Sequence, residues 1–414
     1  MLISSLRKFA IVLPALLLLA CSASNTRKIQ STTEAPSNTP LHPEEVELIE
    51  ESDRFHQQMV KKGLIYRNND ISLYIDTLVD KLLSEKVKAT TNLSFFVTRD
   101  PSVNAFALPN GNIYLNVGLV NKVETEAQLV FVMAHEAAHV VQRHSLKERL
   151  NRQSTVVGAH FADFLLGGIG LSYIAAISDL ASYSRELETE ADEKALTYIS
   201  KTDYNLESAV GTFNQLKEVK HQKAGTSIWA SHPDNVARLA HANKFIETKA
   251  FSAEGPIVTS PTFDEIKGSL TEATVKMRLR LRQYQLAEET CQVSIDIHGE
   301  SAMLSAYIAD SYRLRATNPN AAAKEYAWLY DKNLKDVKAE FTAKKDDHLQ
   351  KAIDLYQQAV ALDETYMRAW RGLGLASIDA GDRENGKEYL NRYLQDKNIK
   401  DRRYIESILK GKTK

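Results

Sequence analysis

Residues 135–139 read His135-Glu136-Ala137-Ala138-His139, with Leu129-Val130-Phe131-Val132-Met133-Ala134 before them and Val140-Val141 after. Four residues make one helical turn plus a little, so both imidazoles project from one face. Two imidazoles one turn apart can share a metal ion, and Glu136 then lies beside the open coordination position. From there its carboxylate can take a proton from an attacking water and hand it to a leaving amine. Such a pentapeptide can arise by chance among 11 histidines in 414 residues. The apolar flanks argue otherwise: two histidines and a glutamate are costly inside a buried helix unless they share a purpose.

A zinc hydrolase takes three protein ligands and leaves one position open. The extension that supplies a third histidine directly after the pentapeptide is lacking, because Gln142 and Ser145 occupy its Gly and His positions. His144 follows His135 by nine residues, two and a half helical turns, and reads as a structural residue on the opposite face. The remaining source is Ser184-Arg185-Glu186-Leu187-Glu188-Thr189-Glu190-Ala191-Asp192. Glu188 has Asp192 one turn later, which pairs a ligand with a carboxylate able to orient a zinc-bound imidazole. Glu186 has Glu190 at that position, and Glu190 has Lys194, which cannot serve. The expected set is His135, His139 and Glu188 as metal ligands, Glu136 as general base and Asp192 behind them. A solvated acidic helix face is the competing reading.

The rest of the chain supplies a setting. Apolar residues make up 43% and charged residues 25%, with net charge −1, an ordinary globular balance with no nucleic-acid signature. Arg7 and Lys8 precede an apolar stretch, Phe9 to Leu19, that is too short to span a bilayer and ends at Leu18-Leu19-Ala20-Cys21. This resembles a bacterial lipobox. It implies a signal peptide at 1–20, diacylation of Cys21, and, with Ser22 next, an outer-membrane lipoprotein facing the periplasm. Residues 21–43 read as a flexible tether, rich in Ser, Thr, Asn and Pro. The other cysteine, Cys291, is then left without an intramolecular disulfide partner.

Ile71, Ile75, Leu78, Val79 and Leu82 form a helical stripe. Leu93 to Thr98 reads as a strand, Asn110-Gly111 as a turn, and Ile113-Tyr114-Leu115 as a second strand. Strands followed by a zinc helix suit an α+β zincin-type domain, mostly helical with a small sheet, placed at 44–250. In such a domain an edge strand can pair with an extended peptide, although an ordinary core hairpin fits equally. The uncharged Phe164-Leu165-Leu166-Gly167-Gly168-Ile169-Gly170-Leu171 reads as a buried helix or a glycine-hinged lid. Residues 251–263 read as a linker, with Gly255, Pro256 and Pro261. An all-α tetratricopeptide-like repeat domain is expected at 264–414. There Ala352, Tyr356 and Ala359 recur as Gly386, Leu390 and Tyr393, a shift of 34 residues. Trp370, Leu373, Gly374 and Gly381 suit the first helix and turn of such a repeat.

Four features in order resemble the HtpX- and BepA-like zinc metallopeptidases, metallopeptidase family forty-eight. They are Asn104-Ala105-Phe106-Ala107 with Gly111, the pentapeptide at 135–139, the Glu188–Asp192 segment, and Ser231-His232-Pro233 with Arg238. The resemblance covers roughly residues 45–245 and implies one zinc ion per chain. It also puts His232 near the active site, where it would stabilise an oxyanion or close the site as a fourth ligand. A histidine at a helix start is the plain alternative. Arg238 would hold an acidic partner or a substrate carbonyl. The implied activity is a zinc endopeptidase that degrades misfolded or stalled outer-membrane and periplasmic proteins. The implied partners are unfolded polypeptides, the membrane through the lipid, and outer-membrane protein assembly machinery through the repeats. The rival reading is a chaperone-like assembly factor with minor or gated proteolysis.

Overall fold

The computed structural model describes residues 29–36, 38–151, 183–217, 232 and 235–411. The expected signal segment, Cys21, the stretch at 164–171, and Ser231 and Pro233 lie outside the described residues.

Three helices open the fold: Pro43–Lys61 (α1), Asn69–Leu82 (α2) and Glu85–Thr90 (α3). Strands Ser94–Thr98 (β1), Ala105–Ala107 (β2) and Asn112–Asn116 (β3) follow, then helices Val117–Lys122 (α4), Glu126–Val141 (α5) and His144–Asn151 (α6). Arg185–Ile199 (α7), Leu206–Val210 (α8), Thr212–Lys217 (α9) and Asn235–Thr248 (α10) complete the first half.

The second half is helical among its described residues. It runs through Pro261–Arg280 (α11), Tyr284–His298 (α12), Ala302–Thr317 (α13), Pro319–Tyr330 (α14) and Leu334–Ala343 (α15). Lys345–Leu362 (α16), Met367–Asp379 (α17), Arg383–Tyr393 (α18) and Arg402–Leu409 (α19) end it. No helix among the described residues is long and apolar enough to cross a membrane.

The described sheet has the order β1-β3-β2. β1 runs parallel to β3, pairing Ser94 with Asn112 and Thr98 with Asn116. β2 runs antiparallel to β3, pairing Ala105 with Leu115 and Ala107 with Ile113. The two strands expected from the sequence are present. The three-residue β2 was missed, because Ala-Phe-Ala is too short to show an alternation. Gly111 takes φ +90° in the β2–β3 turn, and a Cβ there would stand 1.8 Å from the Asn92 carbonyl oxygen. Only glycine fits that turn. Side chains alternate across the sheet. Ala105, Ala107, Ile113 and Leu115 face the main core, which also holds α2 and α5. Phe106 and Tyr114 stack at 4.8 Å on the other face, packed with Phe55 and Met59 of α1.

α5 is buried along its whole length, as expected of a helix that is apolar all round. Both its ends are tied down. At the start, the buried Glu126 carboxylate accepts from the hydroxyls of Tyr74 (2.8 Å), Tyr204 and Ser260. At the end, Arg143 adopts φ +56° and pairs with Glu45 of α1 through Nε (2.7 Å).

Two stretches read as loose segments are docked. Thr32 N–H donates to the Val141 carbonyl (2.9 Å), and Ser31 is buried. The tether therefore meets the folded body at Gln30–Thr32, well before its expected end at residue 43. The expected linker is stitched on as well. Ala127 N–H donates to Val258 O (3.0 Å), and Asn205 N–H donates to Ile257 O (2.8 Å). Phe263, Ile266 and Leu270 of α11 belong to the same core as α5, whereas Val275 packs with Tyr307 and Cys291 of the second half. The Lys267 ammonium donates to Val123 O (2.6 Å), and Arg278 Nη2 donates to Pro101 O (2.8 Å). The two halves are thus fused through α11. A sequence window sees the Gly and Pro residues of 251–263 but not the partners that satisfy their backbone.

In the second half, Ala352, Tyr356, Ala359 and Leu390 are fully buried. α16, α17 and α18 pack consecutively as antiparallel hairpins. At Gly372 a Cβ would meet the Tyr356 ring at 2.0 Å, so this glycine admits the tyrosine between α16 and α17. Cys291 is buried with a free thiol.

Because Phe263 lies in the core of the first half, Phe263→Ala should destabilise that half by about 3–5 kcal/mol. Urea unfolding followed by the fluorescence of the full chain would show the midpoint fall. An unchanged first transition would mean that Phe263 does not belong to that core.

Candidate metal centre

α5 and α7 build the site together. Thr125 caps α5 by accepting from Gln128 N–H (3.3 Å), and His135 and His139 then share one face. Ser184 caps α7. Leu187, Ala191, Ala195 and Ile199 bury one side of α7, and Glu188 and Asp192 are carried into the same interior, each 1% exposed. His232 arrives from the segment before α10 and is equally buried.

His135, His139, Glu188 and His232 each aim a donor atom at a common centre, all within 4.8 Å of one another. The Nε2 atoms of His135 and His139 are 2.9 Å apart. Glu188 lies 3.5 Å from His135 Nε2 and 3.7 Å from His139 Nε2. His232 Nδ1 is 2.7 Å from Glu188 Oε1 and 3.3 Å from His135 Nε2. Donors around a tetrahedral ion with bonds of about 2.0–2.2 Å stand roughly 3.3–3.6 Å apart, so the observed spacings bracket that value.

Behind the donors lies a fixed scaffold. Asp192 Oδ1 is 2.9 Å from His135 Nδ1, which leaves His135 Nε2 as the bare nitrogen facing the centre. Arg238 Nε and Nη2 grip Asp192 at 2.8 and 2.7 Å. Arg238 Nη1 stands 3.0 Å from Glu188 Oε2 and donates to the His232 carbonyl (3.3 Å). Burial opposes the charged form of Asp192, but Arg238 outweighs it and holds the carboxyl below its ordinary value. Glu188 is held well below the usual range: burial opposes this, and the His232 and His135 imidazoles prevail.

Glu136 differs from these carboxylates. Burial pushes its carboxyl up, against the pull of His232 and His135. Among the described residues both its oxygens, and His232 Nε2, are buried without a hydrogen bond. The closest approach between them is 3.5 Å. A carboxylate left bare beside a cluster of nitrogen and oxygen donors fits a site that takes a metal ion and a water. The donor set, imidazoles with one carboxylate, suits a first-row divalent metal ion, zinc among them.

The structure therefore brings together His135, Glu136, His139, Glu188, Asp192, His232 and Arg238. Cys21 lies outside the described residues. One expectation is narrowed and one changes. Arg238 holds Asp192 and Glu188, so its acidic partner is within the chain. His144 is not on an opposite face: the left-handed Arg143 ends α5 and starts a new helix, so counting turns past residue 142 fails. His144 instead returns beneath His139, with Nδ1 2.9 Å from His139 Nδ1. Tyr183 was also missed. Its ring stacks on His139 at 4.0 Å, and its hydroxyl meets Ser145 Oγ at 3.0 Å. No sequence spacing links Tyr183 to residue 139, since the contact is purely tertiary.

Residues 68–246 match the family model described as Peptidase family M48. The chain is 27% identical over 204 residues to the beta-barrel assembly-enhancing protease of Escherichia coli strain K12, covering 46% of this chain and 42% of that protein. It is 26% identical over 178 residues to the mitochondrial metalloendopeptidase OMA1 of Schizosaccharomyces pombe, covering 42% and 53%. It is 29% identical over 171 residues to the metalloprotease YcaL of Escherichia coli strain K12, covering 39% and 65%. The matches thus span from under half to nearly two thirds of these relatives' lengths.

Removing the Arg238 cation should leave Asp192 buried and uncompensated. Arg238→Met is expected to destabilise the metal-free protein by about 3–5 kcal/mol, and zinc should restore part of the loss. Thermal melts with and without zinc would test this. An unchanged metal-free melting temperature would show that the clamp is not needed.

Proposed function

With residues 68–246 matching the family model described as Peptidase family M48, we propose that the chain is a zinc-dependent endopeptidase. His135, His139 and Glu188 would hold the ion, and Glu136 would serve as general base. The observation that carries this is the bare, buried Glu136 carboxylate beside the converging donors. When bound, zinc would polarise the scissile carbonyl and make the attacking water more acidic. Glu136 takes the water's proton at a carboxylate oxygen that no other described group occupies, then passes it to the leaving nitrogen. Its raised pKa suits both halves of that transfer. Asp192 keeps the His135 lone pair aimed inward, and Arg238 keeps Asp192 ionised.

His232 Nδ1 stands within the donor set, which favours a fourth ligand and a closed resting form over an oxyanion role. Displacing it would open the position that substrate needs. β2 lies at one edge of the sheet and packs on α5, as a strand that pairs with an extended substrate must. The other edge, β1, is already covered where Tyr66 N–H donates to Val97 O (2.7 Å).

We read Cys21 as the lipidated residue of an outer-membrane lipoprotein facing the periplasm. From Cys21 to the docked Gln30 the chain reaches at most about 30 Å, so the site would work close to the membrane surface. We read α16, α17 and α18 as one and a half tetratricopeptide-like repeats, by the 34-residue shift and the glycine-admitted Tyr356. The substrates we favour are misfolded or stalled outer-membrane proteins, with assembly machinery as the partner of the repeats. The name of the Escherichia coli relative supports that choice. It equally supports an assembly factor with gated proteolysis, and the closed His232 arrangement accommodates both.

The test is cleavage of an unfolded outer-membrane protein by the zinc-loaded full chain. Glu136→Gln should lower turnover by about 10²–10⁴-fold and keep one zinc per chain. Wild-type rates in that variant would refute the mechanism. Glu188→Ala should weaken zinc binding, and Glu188→Ala combined with His232→Ala should lose stoichiometric zinc, measured by atomic absorption after dialysis. His232→Ala should retain zinc and cleave faster than wild type; slower cleavage would assign His232 to the oxyanion.

A further inference from the structure

We infer that His144 and Glu190 form a positioning relay that fixes the ring and tautomer of His139, although neither reaches the metal centre. The inference rests on the metallopeptidase reading and extends it to two residues outside the set of His135, Glu136, His139 and Glu188.

The geometry is a chain of three contacts. His139 Nε2 faces the centre, 2.9 Å from His135 Nε2. Its other nitrogen, Nδ1, lies 2.9 Å from His144 Nδ1. His144 Nε2 lies 3.2 Å from Glu190 Oε2. The Lys147 ammonium, one turn after His144, donates to both oxygens of Glu190 at 3.0 and 3.3 Å. His144 is fully buried, and the His139 and His144 rings stand at 78° with centroids 4.9 Å apart.

One proton arrangement with neutral rings satisfies the two contacts that run outward from His139 Nδ1. Glu190, ionised beside Lys147, can only accept, so His144 Nε2 carries the hydrogen. His144 Nδ1 is then bare and must accept. His139 Nδ1 therefore carries a hydrogen and donates it. That leaves the lone pair of His139 on Nε2, the atom that points at the centre. His135 reaches the same state by a shorter route, with Nδ1 2.9 Å from Asp192 Oδ1. Both imidazoles of the pair are thus oriented by a carboxylate of α7, one directly and one through a histidine. Asp192 and Glu190 lie two residues apart on α7, so one helix anchors both histidines of α5.

A space-filling role for His144 makes a different prediction, because an isosteric ring would replace it. Zinc affinity of the full chain, measured by competition with a chromogenic chelator, separates the two. His144→Phe should bind zinc about 10–100-fold more weakly than wild type. His144→Gln, whose amide can accept from His139 and donate to Glu190, should recover most of that loss. Glu190→Ala should weaken zinc several-fold; its side chain is 40% exposed, so the variant is expected to fold even where His144→Phe does not. Long-range ¹H–¹⁵N correlation of the zinc-loaded protein should show His139 protonated at Nδ1. Wild-type affinity in Glu190→Ala or in a folded His144→Phe would overturn the relay while leaving the metal site standing. Absence of zinc from the wild type would overturn the site and the relay together.

Discussion

The charge balance between Arg238 and the two carboxylates Asp192 and Glu188 is the constraint on which the site depends. Each carboxylate is nearly inaccessible, and an uncompensated ion at such depth is prohibitively costly. Arg238 meets both, and its bidentate grip on Asp192 uses the planar fork that lysine lacks. With the acids held ionised, Asp192 can orient His135, and Glu188 is available as an anionic donor. The same guanidinium reaches the His232 carbonyl, so the segment before α10 is tied to the charge cluster.

The rigidity of α5 makes this balance useful. Glu126 fastens its first turn to α2, to the Tyr204 loop and to Ser260. Arg143 fastens the residues after its last turn to α1. A helix buried along its whole length and held at both ends cannot rotate His135 and His139 off their common face. α11 shares its core with α5 and continues into the second half. The helical hairpins therefore join the first half through a helix that packs in both cores.

Much of this was legible in the sequence wherever a local rule applied. The turn at Asn110-Gly111, the α2 stripe and the buried character of α5 follow from periodicity and backbone sterics. Glu188 and Asp192 were singled out by their spacing of one helical turn, and they do lie side by side in space. What escaped the sequence was tertiary. The three residues of β2 carry no period of their own. Arg143 holds a left-handed conformation through its contacts with Glu45 and Gln30, which nothing in Gln142-Arg143-His144 announces. Helical periodicity therefore carries α5 straight through it and puts His144 on the wrong side. The Gly and Pro residues of 251–263 suggest a loose connection until the partners of their backbone are seen.

The most direct test of the account is the position of the metal itself. Anomalous scattering at the zinc edge, from crystals of the full chain grown with zinc, would locate it. The account predicts one peak per chain, about 2.0–2.2 Å from His135 Nε2, His139 Nε2 and a Glu188 oxygen. A peak away from these three atoms, or none at all, would contradict it.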